Sequence, residues 1–307
     1  MSIFASIAHV LCALLLAPLL PGIINRVKAW FAGRQGPPLV QGYYDLWKLL
    51  QKGAVYSNTT TWVFVAGPIV GLACVTTALL IVPLGDVPGL IAFRGDFLLM
   101  AYVLGLMRFF TIVAALDTGS SFEGMGASRE AFYAALAEPA LLLGLVALIT
   151  QTHGSSLSTI YAGIAAGGVA SLAGPACLLV AAAVLIVFLA ENARLPIDDP
   201  NTHLELTMIH EVMVLDHSGP DFAMIEYAAM LKLWVLGALL VGIVVPVHSG
   251  WLAVDLAAGV GGIMLLAVAV GVIESTLARL RLVRVPQFLV AASVLSTLAL
   301  VLVMRKP

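Results

Sequence analysis

Apolar runs with almost no charge recur along the chain, at roughly 3–22, 62–83, 95–116, 130–153, 170–191, 228–248, 251–274 and 286–304. Each is close to the about 20 residues that carry a helix across the hydrocarbon core of a bilayer. The pattern predicts an all-α integral membrane protein with eight transmembrane helices, a single polytopic domain over residues 1–307. What lies between the runs is too short for a soluble domain. The main connections are 23–61, 117–129, 192–227 and 275–285, whereas 154–169, small and weakly polar, reads as an external loop lying on the surface. There is no internal repeat, so the inverted-repeat architecture of many transporters finds no support.

Composition agrees: 61% of residues are hydrophobic and 10% charged, against about 25% charged in an ordinary soluble domain. The formal charge of −2 leaves no basic excess to suggest nucleic acid. Cys12, Cys74 and Cys177 lie far apart inside apolar runs, with no close pair to hold zinc or an iron–sulfur cluster. No cofactor is expected in this chain.

The basic residues orient it. Arg26, Lys28, Arg34, Lys48, Lys52, Arg129, Arg194, Arg279, Arg281 and Arg284 follow the odd-numbered spans, while only Arg94, Arg305 and Lys306 lie on the other side. Positive residues stay inside, so the odd loops are expected in the cytoplasm, both termini outside, and the protein in the cytoplasmic (inner) membrane. The first span has no basic residue before it, which suits an uncleaved anchor rather than a signal peptide.

A charge at the bilayer centre costs roughly 2.5–3.5 kcal/mol on insertion scales, so each buried one needs a partner or a use. Arg108 lies inside the third span, and Glu138, followed by Pro139, inside the fourth; Glu191, Lys232 and Glu274 stand near span ends. Acidic residues crowd one side: only Asp86, Asp96 and Asp255 belong outside, and 191–226 alone holds Glu191, Asp198, Asp199, Glu205, Glu211, Asp216, Asp221 and Glu226. Carboxylates crowded in low dielectric raise one another's pKa, which suits proton carriage. The same segment has His203, His210 and His217. At seven-residue spacing on one helix they would stand roughly 10 Å apart, too far for one ion, so no metal is expected there. Segment 34–52 opens with a Gly-Pro-Pro turn and continues as a two-faced helix, with Gln41, Asp45, Lys48 and Lys52 on one face. It suits the membrane interface or a partner subunit.

Four separated motifs carry a resemblance: GPPLVQGYYDLWKLL (36–50), LDTGSSFEGMGASRE with the later Glu138-Pro139, AENARLPIDDP (190–200) and ESTLARLRL (274–282). They look like the membrane-anchor, proton-coupling subunit of group 4 membrane-bound hydrogenases, of the formate hydrogenlyase and hydrogenase 4 types. That subunit is homologous to the arm-joining membrane subunit of respiratory complex I. The match runs nearly end to end. It implies eight spans, and a role in docking a soluble catalytic arm and coupling its electron transfer to proton or sodium translocation. The implied partners are soluble hydrogenase-like large and small subunits, an iron–sulfur subunit and antiporter-like membrane subunits. Iron–sulfur clusters and nickel–iron would belong to those partners. Arg129, Glu138, Glu191, Arg194, Pro196, Asp198, Pro200, Glu205 and Asp216 match positions of the family motifs. Asn201 and His203 stand where the complex I pattern has glutamate, and the segment after Gly36-Pro37 is shorter. Both departures argue against a complex I-type quinone chamber and point to a hydrogenase-type complex.

Residue chemistry and resemblance together make Glu138, Glu191, Asp198, Glu205, Asp216 and Glu274 candidate proton-transfer groups. Arg108, Arg129, Arg194 and Lys232 are their candidate counter-charges, and Arg34, Gly36, Pro37, Asp45, Lys48, Pro196, Asp199, Pro200, Leu204 and Leu206 the candidate docking residues. A stand-alone ion or solute carrier, or a passive anchor, is the alternative reading.

Overall fold

The computed structural model describes residues 2–172, 174–198 and 208–305. Among these the chain is all helix, without strands, apart from an isolated bridge between Leu84 and Val87. Eleven α-helices follow in order: α1 (Ser2–Leu16), α2 (Leu19–Phe31), α3 (Gln41–Leu50), α4 (Trp62–Ile81), α5 (Asp96–Asp117), α6 (Ser121–Thr152), α7 (Leu157–Leu172), α8 (Pro175–Glu191), α9 (Gly219–Val244), α10 (Leu252–Thr276) and α11 (Val285–Met304).

Among the described residues six helices are long and apolar enough to cross a membrane, and a seventh span results if the bent pair α1–α2 is counted as one. The bend, 50°, falls at Ala17-Pro18, because a proline removes a backbone donor and its ring clashes with the preceding turn. The remaining expected span, 170–191, is represented by α8, whose 17 residues rise about 25 Å, the lower limit of a spanning helix. Among the described residues the candidate spans therefore number six to seven, with α8 a shorter apolar helix beside them.

Three boundaries differ from the hydropathy pattern. The first span does not stop at 22 but bends and continues as α2 to Phe31. Helix α6 starts at Ser121, so most of the expected loop 117–129 is helical. Residues 154–169 are not a surface loop: Leu157, Ile160, Tyr161, Ile164 and Ala165 of α7 are buried. Their spacing is the stripe of an amphipathic helix. Tyr161 packs on Gly242, where an added Cβ would lie 2.4 Å from its ring, and its hydroxyl donates to the Leu239 carbonyl at 2.8 Å.

Helix α9 is the hub. Every residue from Met230 to Ile243 is buried, as expected of a helix that is apolar all round. Helices α4, α7, α8 and α10 pack around it. Helices α6 and α11 run parallel in close contact along much of their length. There the Ser296 hydroxyl donates to the Ala140 carbonyl at 2.7 Å, next to Pro139.

Candidate functional site: a buried network on Arg108

Lys232 sits inside the fully buried stretch of α9, so its ammonium requires a counter-ion within reach. It finds Glu191, the last residue of α8, whose Oε2 lies 2.8 Å away. The other oxygen of Glu191 accepts from Arg108 Nη2 at 2.5 Å. Arg108, on α5, is itself buried and is held on three sides: Nη1 donates to Glu138 Oε1 at 2.5 Å, and Nε lies 3.2 Å from Glu130 Oε1. A planar guanidinium with its fork of donors is suited to several carboxylates at once, as an ammonium is not.

The network continues through the connection after α8. His210 Nε2 lies 3.2 Å from Glu130 Oε2, its Nδ1 3.4 Å from Asp198 Oδ2, and Arg279 donates to Asp198 Oδ1 at 2.8 Å. One continuous chain of polar groups thus runs Glu138–Arg108–Glu130–His210–Asp198–Arg279, with the branch Arg108–Glu191–Lys232. Burial opposes charge on Asp198, but the His210 ring and backbone N–H, with Arg279, hold its carboxyl below the usual range. Burial likewise opposes protonation of His210, yet Glu130 and Asp198 hold its pKa above the ordinary value.

A second cluster lies nearby. Glu274 of α10 takes Lys28 at 2.8 Å and Arg194 at 3.4 Å. Ala193, just before that arginine, adopts φ 51°, a left-handed conformation costing an alanine about 1–2 kcal/mol. It reverses the chain between Glu191 and Arg194, so that neighbours in sequence serve separate clusters. Between the clusters is a cavity of about 310 Å³ lined by Arg108, Glu130, Glu191, Arg194, His210, Glu226 and Lys232 among others. At about 30 Å³ per molecule it has room for roughly ten waters. A second cavity of about 400 Å³, mostly apolar, reaches Arg108 from between α5, α6 and α8. Glu138 lies on its wall with its side chain 48% exposed, whereas those of Glu130 and Glu191 are 8% exposed.

The structure brings together Arg108, Glu138, Glu191, Lys232 and Asp198, and separately Arg194 and Glu274. It places other expected residues elsewhere. Arg129 donates to the Met208 carbonyl at 2.9 Å. Asp216 is exposed, its backbone N–H donating to Glu123 at 3.2 Å. Pro196, expected at a docking surface, is buried, and its carbonyl accepts from Leu280 N–H at 2.8 Å. Arg34, Pro37, Asp45 and Lys48 are exposed and Gly36 half-buried, on α3 and the turn before it. Glu205, Asp199, Pro200, Leu204 and Leu206 lie outside the described residues.

Sequence reasoning passed over Glu130, His210, Arg279 and Lys28. Glu130 stands beside Arg129 in the quoted motif, but one residue along a helix turns the side chain by about 100°. The glutamate, not the arginine, faces Arg108. His210 drew attention only as a metal ligand; its role as a bridge between two carboxylates needs the fold.

The connection that carries His210 is pinned to the bundle. Gly126 of α6 admits it at close range, since a Cβ there would lie 2.3 Å from Val212 Cγ1. His217 stacks on Phe64 of α4, with ring centroids 3.9 Å apart, and burial lowers its pKa to about 4. Ser218 accepts from Val55 N–H at 3.0 Å.

Set against known proteins, the sequence matches the family model described as NADH dehydrogenase over residues 4–305. It is similar to formate hydrogenlyase subunit 4 of Escherichia coli (strain K12), 30% identical over 288 residues, 92% of each chain. It is also 29% identical over 283 residues to hydrogenase-4 component C of the same organism, covering 90% of this chain and 88% of that one. The fold is similar to a chain in the structure of the membrane-bound sulfane sulfur reductase, an archaeal respiratory membrane complex. The TM-score is 0.79 at 20% identity, over 99% of this chain and 100% of the other.

Proposed function

The chain belongs to the NADH dehydrogenase family, and from that premise we propose that it is the membrane subunit of a hydrogenase-like respiratory oxidoreductase in the cytoplasmic membrane. In this reading it docks the soluble catalytic arm and couples electron transfer there to translocation of protons or sodium. The redox centres, iron–sulfur and nickel–iron, belong to the hydrogenase-like large and small subunits and an iron–sulfur subunit. Antiporter-like membrane subunits continue the ion route.

The observation that carries the proposal is Arg108, buried and shared by Glu130, Glu138 and Glu191 on the wall of a cavity large enough for water. A passive anchor has no use for so many ionisable groups in a membrane, where each is costly. The arrangement can pass a proton: three carboxylates compete for one guanidinium, so a change of charge at the His210 end alters which of them holds a proton most readily. Glu138, half-exposed on the flank of α6, is the exit toward a neighbouring membrane subunit. Exposed Tyr44, Trp47 and Leu50 on α3 form part of the docking surface.

The test is the assembled complex in sealed vesicles, with electron transfer and ion uptake recorded together. Glu191→Gln keeps shape and hydrogen-bonding capacity but removes the titrating group. Electron transfer should persist while ion uptake per electron falls by at least tenfold. Unchanged uptake in Glu191→Gln and in Glu138→Gln would favour the passive anchor.

A further inference from the structure

Helices α4 and α9 run away from the Arg108 end of the bundle, and beyond their far ends two connections converge. Asp86 stands at the tip of the turn after α4, closed by Leu84 N–H to Val87 O at 2.9 Å and Val87 N–H to Leu84 O at 3.0 Å. That turn is a fixed post. Leu84 and Val87 are buried, and Leu84 packs so closely on α10 that a Cβ at Gly259 would lie 2.5 Å from its Cγ. His248 follows α9 and brings Nδ1 to 2.7 Å from Asp86 Oδ2. Asp255 comes from the first turn of α10. One ligand atom from each of the three lies within 4.8 Å of the other two.

Two further observations point to a cation. Asp255 is only 6% exposed, and its Oδ1 accepts from Ser249 N–H at 2.8 Å. That bond holds the carboxylate in place at the start of α10, and a carboxylate so little exposed favours a positive charge beside it. The convergence also sets Asp86 and Asp255 against each other, an unfavourable pairing of like charges that a divalent ion between them reverses. The donor set narrows the ion. One imidazole with two carboxylates suits zinc-class metals, which bind at about 2.0–2.2 Å and keep an open position when the protein supplies three ligands.

We propose that Asp86, His248 and Asp255 bind one divalent transition-metal ion of the zinc class, with solvent completing its coordination. The ion ties the turn after α4 to the start of α10, at the end of the protein away from the Arg108 network. Exposed on one side through His248, the site takes its ion directly from solution. Sequence spacing hides it, because Asp86 and His248 are 162 positions apart.

The test uses the full chain in mild detergent, treated with a chelator and then freed of it, and titrated with Zn²⁺ by calorimetry and Co²⁺ by visible absorption. One equivalent should bind, with the visible bands of low-symmetry cobalt. Asp86→Asn and Asp255→Asn should each weaken binding at least tenfold, as should His248→Ala, which as the exposed member of the three is the site variant least able to disturb folding. His153→Ala, an exposed histidine outside the site, should bind as the parent does. Absence of stoichiometric binding to the parent chain, or parent-like affinity in Asp86→Asn and Asp255→Asn, would overturn the assignment.

Discussion

Arg108→Met removes the group on which the network is centred while keeping most of the side-chain volume. Counting Arg108 and Lys232 against Glu130, Glu138 and Glu191, the net charge of the five groups goes from −1 to −2. Breaking a buried ion pair by removing one partner costs roughly 3–5 kcal/mol. Here the low end applies. Glu191 keeps Lys232 and Glu130 keeps His210, while Glu138, its side chain 48% exposed, regains hydration. Proton uptake also limits the cost, since protonating an ordinary glutamate at pH 7 takes about 3.7 kcal/mol. The expected loss is therefore about 3 kcal/mol near pH 7, and below about pH 6.5, where protonation costs less than that, it shrinks by about 1.4 kcal/mol for each further pH unit. Pairing Arg108→Met with Glu191→Gln restores the net charge of −1, so the two losses should be less than additive by at least about 1.5 kcal/mol. Unfolding in mixed micelles by a denaturing detergent, read by the fluorescence of Trp234, buried on α9, supplies the four corners of the cycle. Additivity within about 0.5 kcal/mol, or a loss independent of pH, would refute the pairing of Arg108 with Glu191.

Other consequences follow from the same contacts. The segment 208–217 should show its highest hydrogen-exchange protection near pH 6.5. His210, raised above 6.5 in the fold, loses its contribution as pH climbs through that raised value, and His217, lowered to about 4, withdraws its own as pH falls below 6.5; a monotonic profile from pH 4 to 9 would contradict this. Gly126→Ala should destabilise by about 1–3 kcal/mol by overpacking against Val212, Ile209 and Met213. Gly124→Ala, whose nearest neighbour is Leu116 at 4.0 Å, should leave the thermal midpoint within a degree or two. Replacing Tyr44 and Trp47 together by Asp should strip soluble subunits from the purified complex, whereas Asp45→Lys, which breaks only a bond within α3 to Gln41, should leave most of them attached. Full retention in the Tyr44/Trp47 variant would remove α3 from the docking surface.

Most of the membrane-crossing helices could be read from hydropathy alone, because a charge-poor run of 20 residues has few other destinations. The method fails where burial comes from protein instead of lipid. Helix α7 mixes Ser, Thr and Gly with its apolar stripe and runs for only 16 residues, too few to stand out as a span, while one face packs on α9. Helix α6 runs nine residues beyond its apolar stretch because Glu123 and Glu130 are buried by the connection folding over them, a contact no local pattern encodes. The charged centre was half legible. Arg108 and Glu138 stand out because they sit where lipid would be, and Glu191, Arg194, Lys232 and Glu274 because they interrupt span ends. Pairing was not legible: Glu191 and Arg194, three residues apart, look like a local ion pair, yet each bonds a partner 80 or more positions away. Asp86, His248 and Asp255 carry no signal individually, since each is an unremarkable loop or helix-start residue until the fold joins them.

The central claim is that carboxylates bound to Arg108 change their protonation during turnover. Redox-triggered infrared difference spectroscopy of the assembled complex reads this directly, in the carbonyl stretch of protonated carboxylic acids. The account predicts a band that shifts on ¹³C-glutamate labelling and is lost or halved in Glu130→Gln or Glu191→Gln, with electron transfer intact. A difference spectrum with the same acid bands in the parent complex and in both variants would contradict it.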